Sequence, residues 1–175
     1  PHHENEIAQS EAAAGKTPFS GVWMHNGMLR IADGQEMSKS LGNAFNVNSA
    51  LEEFSSDSIR LWILQSHYRT NPLLYKKLIG DAERSVRRIR QAVEAAPSDS
   101  IDPEKTLDAE SFKRRFTEAM DDDLNTPQAL AAIFDLCRKM NRARTDGADV
   151  SAAQDLVREL TGVLGFTLEA PPQQA

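Results

Sequence analysis

The chain has 175 residues, of which 40% are hydrophobic and 26% charged, the balance of an ordinary soluble globular domain or a small pair of domains. Its formal net charge of -6 argues against a protein that coats nucleic acid indiscriminately, while leaving room for a local basic face. Cys137 is the single cysteine, which excludes a disulfide framework within the chain and suits a reducing compartment; no apolar run approaches membrane-spanning length.

Residues 2–14 are rich in helix formers, with Pro1 acceptable in a first turn and Gly15 and Pro18 as stop signals. The chain enters this helix with no initiating methionine and no leader pattern, so it is expected to be a piece of a longer protein. Val22, Trp23, Met24, Met28, Leu29 and Ile31, broken by Gly27, suggest a short strand or hairpin over 22–32. Residues 46–54 read as a short helix capped by Asn46 or Asn48. Ser55, Ser56 and Asp57 offer a second cap before an apolar helix with Ile59, Leu61, Trp62, Ile63 and Leu64, ending near His67-Tyr68-Arg69.

After Asn71-Pro72 a long amphipathic helix is expected to about Ala96. Its apolar positions Leu78, Ala82, Val86, Ile89 and Val93 share one side, and Lys77, Arg84, Arg87, Arg88 and Gln91 the other. A polar linker follows over 97–106, then a helix with Phe112, Phe116 and Met120 at four-residue spacing. Thr126-Pro127 is a helix start, a capping hydroxyl followed by proline, and Leu130, Ile133, Phe134, Cys137 and Met140 form that helix's buried stripe. A last helix covers roughly 150–164, with Gly165 to end it. The fold class is therefore mainly α: an irregular, motif-bearing part over 1–71, an antiparallel helical bundle over 72–166, and a disordered tail over 167–175.

Three groups of residues carry candidate chemistry. In Glu36-Met-Ser-Lys-Ser-Leu-Gly-Asn43 a lysine stands between two serines and Gly42 lets the loop fold closely, so Lys39 can meet a polyphosphate with hydroxyl donors beside it. His2 and Glu6 are four apart on a helix and share a face, and imidazole and carboxylate both bind Zn²⁺. Two ligands do not complete a zinc site, and Ile7 rules out the metalloprotease pattern. Lys77, Arg84, Arg87 and Arg88 could follow a phosphate backbone. Asp121, Asp122 and Asp123 lack the alternation and glycine of a calcium loop and read as a solvated acidic turn.

The 36–43 stretch resembles the Lys-Met-Ser-Lys-Ser loop of class I aminoacyl-tRNA synthetases, with Glu36 where that family has its first lysine. Residues 1–11 (Pro-His-His-Glu-Asn-Glu-Ile-Ala-Gln-Ser-Glu), 23–29 (Trp-Met-His-Asn-Gly-Met-Leu), 37–43 and 66–69 (Ser-His-Tyr-Arg) occur in this order and together resemble the cysteinyl-tRNA synthetase family. Residues 120–130 (Met-Asp-Asp-Asp-Leu-Asn-Thr-Pro-Gln-Ala-Leu) resemble the opening of the helical bundle that follows that family's catalytic domain.

The resemblance implies the C-terminal part of a Rossmann-like catalytic domain followed by a tRNA-contacting bundle. It implies a cytoplasmic ligase that activates cysteine with ATP, as its Mg²⁺ complex, and passes it to tRNA(Cys), with neither DNA nor a membrane as partner. Lys39, Ser38, Ser40 and Met37 map to the ATP loop, with Lys39 as the catalytic cation. His2 and Glu6 map to two of the four ligands of a zinc ion that holds the substrate thiol, the other two being cysteines upstream. Trp23 and His25 map beside the substrate pocket, and Lys77, Arg84, Arg87 and Arg88 to the tRNA backbone. A His-Ile-Gly-His-like motif is absent, so the chain alone is expected to be catalytically incomplete. The competing readings are a related ligase of thiol biosynthesis that activates cysteine, and a non-catalytic helical module that binds tRNA or a partner.

Overall fold

The computed structural model describes residues 1–31, 46–97 and 101–169. The 36–43 loop, including Glu36, Met37, Ser38, Lys39 and Ser40, lies outside the described residues, as do 170–175. The described elements are α1 (His2–Ala14), β1 (Arg30–Ile31), α2 (Val47–Glu53), α3 (Ser56–Leu64), β2 (Leu73–Leu74), α4 (Lys76–Glu94), β3 (Asp102–Thr106), α5 (Glu110–Asp121), α6 (Thr126–Thr145), β4 (Ala148–Asp149) and α7 (Ser151–Val163). Among the described residues no helix is long and apolar enough to cross a membrane.

The core is organised by α4. Its buried residues Ile79, Ala82, Val86, Ile89 and Val93 alternate spacings of three and four, which keeps them on one side of the helix. This corrects the expected stripe at its start: Leu78 is 37% exposed and Ile79 is fully buried. At 100° per residue Leu78 points about 80° away from Val86, whereas Ile79 lies about 20° from it. Around this stripe α3 packs against α4, α6 against α4 and α7, and α5 against α6 and α7. Leu61 and Trp62 of α3 belong to the same apolar cluster as Phe112, Phe116, Leu130, Ile133, Leu136, Met140, Val157 and Leu160. Ile63 of α3 points outward at 48% exposure.

Helix ends follow local chemistry, with corrections. Gly15 closes α1 in the left-handed conformation, its N–H donating to the Glu11 carbonyl at 2.9 Å. Asn46 Oδ1 caps α2 by accepting from Ser49 N at 2.9 Å, and Ser55 Oγ caps α3 by accepting from Ser58 N at 3.3 Å. The α3 helix stops at Leu64, short of 67–69, where the chain turns. For α6 the cap is Asn125, which accepts from Gln128 N at 3.3 Å, and not Thr126. The Thr126 hydroxyl donates instead to the orphan Leu64 carbonyl at the end of α3, 2.8 Å away.

Two irregular stretches also differ from expectation. Of the short strand or hairpin expected over 22–32, the described residues 22–31 contain the short strand β1 and no hairpin; β1 pairs in parallel with β2, Arg30 opposite Leu73 and Ile31 opposite Leu74. The expected polar linker contains β3, which pairs in parallel with β4. In both cases the backbone donors are satisfied by a distant segment, which leaves no local alternation to read.

The expected tail is corrected over 167–169. Asp57, 2% exposed, accepts from Thr167 N at 3.1 Å and Leu168 N at 2.8 Å. Arg90, 9% exposed, donates from Nε to the Leu168 carbonyl at 2.8 Å and also bonds the Glu169 carbonyl. The chain is thus clasped to the start of α3 and the end of α4 after α7. Removing the acceptor in Asp57→Ala strands those N–H groups, and urea denaturation is expected to show a loss of about 1–3 kcal/mol through a lower midpoint at unchanged slope.

Candidate functional site

The start of α1 and the segment after it converge on an aromatic group. His2 Nε2 stands 3.9 Å from Glu6 Oε1, with both side chains open to solvent. His3 packs its ring 4.5 Å from His25 and 5.6 Å from Trp23, centroid to centroid. Trp23 and His25 lie nearly parallel, 9° apart at 6.3 Å, and Phe19 meets Trp23 edge-on at 5.4 Å. His2, Glu6, Trp23 and His25 are therefore gathered in one region by His3, a residue the motif reading left without a role. The only sign of it in the sequence was the second histidine of the His-His pair.

His2 and Glu6 carry donor types that zinc accepts. Donor atoms held at 2.0–2.1 Å in a tetrahedron stand roughly 3.3 Å apart, so the two side chains, at 3.9 Å, would have to close by about half an ångström to share an ion. Among the described residues no group of three or more His, Cys, Asp or Glu side chains is placed to hold a metal ion. Cys137 is no substitute: it is buried in α6, and burial pushes its thiol up to about 11.

The 23–29 segment is fastened to the rest of the protein by its backbone. Gly27 N donates to the Tyr68 carbonyl at 2.7 Å, Met28 N to Asn71 Oδ1 at 2.8 Å and Arg30 N to the Pro72 carbonyl at 3.0 Å. A Cβ on Gly27 would sit 1.8 Å from the Thr70 carbonyl oxygen, so this approach requires glycine. An apolar cleft of about 520 Å³ opens beside the segment, lined by Met24, Leu29, Trp62, Tyr68 and Met120 among others.

The turn at 67–70 is in turn held by the bundle. Tyr68 Oη donates to Asp123 Oδ1 at 2.7 Å, and Arg69 donates from Nε to Oδ2 at 2.7 Å and from Nη2 to Oδ1 at 3.1 Å. His67 Nε2 lies 3.8 Å from Asp123 Oδ2. The expectation of a merely solvated acidic turn is thus corrected for Asp123. The Arg69 guanidinium first, and the Tyr68 hydroxyl second, hold its carboxyl down to about 2.

Lys77, Arg84, Arg87 and Arg88 of α4 are all exposed, but they do not form one patch of free charge. Arg84 is paired with Asp81. Arg87 borders the cavity between α2 and α4, whereas Arg88 faces a cleft of about 630 Å³ with Arg138, Asn141 and Arg144.

Comparison with known proteins separates the chain into two matched parts. Residues 1–84 match the family model for the tRNA synthetases class I (C) catalytic domain, and residues 115–169 match the DALR domain. A cysteine–tRNA ligase of Alkalilimnicola ehrlichii is 47% identical over 174 residues, covering 98% of this chain and 36% of the relative. One from Dehalococcoides mccartyi is 43% identical over 169 residues, covering 96% of this chain and 36% of the relative. The chain therefore spans little more than a third of the length of these curated relatives. Among solved structures, an Agrobacterium radiobacter K84 LeuRS, in a ternary complex with tRNA and LeuAMS, superposes with a TM-score of 0.58 at 16% identity. It covers 83% of this chain and 22% of that one, a likeness of fold.

Because its folded pKa lies below the unfolded value, the Asp123 carboxylate contributes stability at pH above roughly 4 that is lost as pH falls toward the folded value. A carbon-detected titration of Asp123 is expected to give a midpoint of about 2. In Arg69→Ala the midpoint should rise toward the ordinary ~3.9.

Proposed function

The chain belongs to the class I tRNA synthetase family, in the branch of the cysteine–tRNA ligases, and from that premise we propose that it supplies part of a ligase that activates cysteine with ATP and loads it onto tRNA(Cys). The observation that carries this reading is the 47% identity to a cysteine–tRNA ligase over 98% of the chain, extending through both matched parts. In this reading residues 1–71 close a catalytic domain and 72–166 form the bundle beside the tRNA. The ligase works in the cytoplasm.

Lys39 acts on ATP bound as its Mg²⁺ complex. When adenylate passes to the substrate carboxylate, the bond to pyrophosphate breaks and negative charge builds on the leaving group. A cation on a loop that meets this charge mainly in the transition state lowers the barrier without tightening substrate binding to the same degree. Ser38 and Ser40 add hydroxyl donors, and Met37 completes the loop's contact with the nucleotide. Glu36 places a negative charge at the loop entrance and weakens its hold on phosphate.

His2 and Glu6 would hold a Zn²⁺ ion through one nitrogen and one oxygen donor. The ion would supply a preference for a soft sulfur ligand over oxygen, the distinction between cysteine and serine that pocket size alone makes poorly. Trp23 and His25, stacked on each other with the His3 ring tilted against both, form an aromatic wall beside the amino acid. Lys77, Arg84, Arg87 and Arg88 contact tRNA phosphates, giving affinity without reading sequence.

ATP–pyrophosphate exchange with cysteine tests the loop assignment in the ligase that carries this chain. Lys39→Ala is expected to lower kcat/KM by about 10²–10³, the scale of losing one preorganised charge-stabilising donor. Glu36→Lys is expected to strengthen ATP use in the same assay. Exchange left intact by Lys39→Ala would remove the basis for the proposed ATP site.

A further inference from the structure

We infer that Asp123 is a positioning residue: from the turn between α5 and α6 it fixes the substrate-side segment 23–29 through the turn at 67–71. The relay is continuous in hydrogen bonds. Asp123 takes three donors from Tyr68 and Arg69, and its own carbonyl lies 3.1 Å from His67 Nε2. The next turn is braced internally, because Thr70 donates from both N and Oγ1 to the His67 carbonyl, at 2.9 and 2.7 Å. It then receives Gly27 N at the Tyr68 carbonyl and Met28 N at Asn71 Oδ1. Gly27 is two residues from His25, which stacks on Trp23 and meets His3 at a tilt.

The anchor end of the relay is rigid. Asp123 and Leu124 both have φ of +53°, a conformation that aspartate tolerates better than most residues. Leu124 N donates to the Met120 carbonyl and Asn125 N to the Ala119 carbonyl, at 3.1 and 3.0 Å, tying the turn to α5. The Thr126 hydroxyl ties it to α3. A carboxylate in this place presents both oxygens to the Arg69 fork, which sets direction as well as distance.

Exposure decides what kind of role this is. Asp123 is 48% exposed and Arg69 61%, and ion pairs this open to water add little to global stability. Their contribution is to orient the turn, so its loss should loosen the 23–29 segment locally and leave the bundle folded. Placement of Trp23 and His25 beside a substrate rests on the proposed function; the relay itself does not.

Residue-resolved amide hydrogen exchange on the 175-residue chain tests this without substrate, so its outcome stands apart from that of the exchange assay with ATP. In Asp123→Asn, exchange at Gly27 and Met28 is expected to rise about tenfold or more, with Ile89 and Val157 amides in the core unchanged. The ring-current shifts of His25 should move toward free values in the same variant. Tyr68→Phe leaves the α5–α6 turn untouched and should give the same pattern to a smaller degree. Unchanged exchange at Gly27 and Met28 in both variants, or a rise of equal size throughout the bundle, would overturn the inference.

Discussion

The structure depends on the burial of one face of α4. Ile79, Ala82, Val86 and Ile89 are fully removed from water, and α3, α6 and α7 all pack against this helix. Apolar area buried at roughly 25 cal/mol per Å² makes each such side chain worth on the order of 1–3 kcal/mol, more than any surface ion pair here. The other interactions act on a frame that this packing sets. The clasp of Asp57 and Arg90, the capping of Leu64 by Thr126 and the relay from Asp123 all join elements already brought together by the core.

Polar groups in this frame act chiefly on direction. Glu83 illustrates the balance: burial works against its charge, but the hydroxyls of Ser58 and Ser55 outweigh that and leave the carboxyl below its usual value. It thereby locks the start of α3 to the middle of α4. Asp123 does the same across a wetter surface, where Arg69 and Tyr68 replace burial as the source of specificity.

Local pattern in the sequence accounts for the helices because they bury stripes of defined period. Val86, Ile89 and Val93, Phe112 and Phe116, and Ile133, Cys137 and Met140 are all buried as their spacing demands. The misreadings arise where a residue answers to a distant partner. Thr126 has the chemistry of a cap, yet its hydroxyl serves Leu64, 62 residues away. Arg30 and Ile31 find their strand partners at Leu73 and Leu74, so nothing adjacent marks them as paired. At the candidate site, motif resemblance supplied His2, Glu6, Trp23 and His25. The contact of His3 with His25 and the grip of Asp123 on the 67–70 turn joined motifs that the sequence shows only as neighbours in order.

The buried thiol of Cys137 has a consequence for a protein whose relatives handle cysteine. With its pKa near 11, only about one molecule in ten thousand carries a thiolate at neutral pH. An activated carboxyl passing near the protein finds no internal sulfur to acylate. The same seclusion makes the surface of these 175 residues chemically silent toward thiol reagents, so that within this chain a cysteine placed at an exposed position becomes a single address for a spectroscopic label.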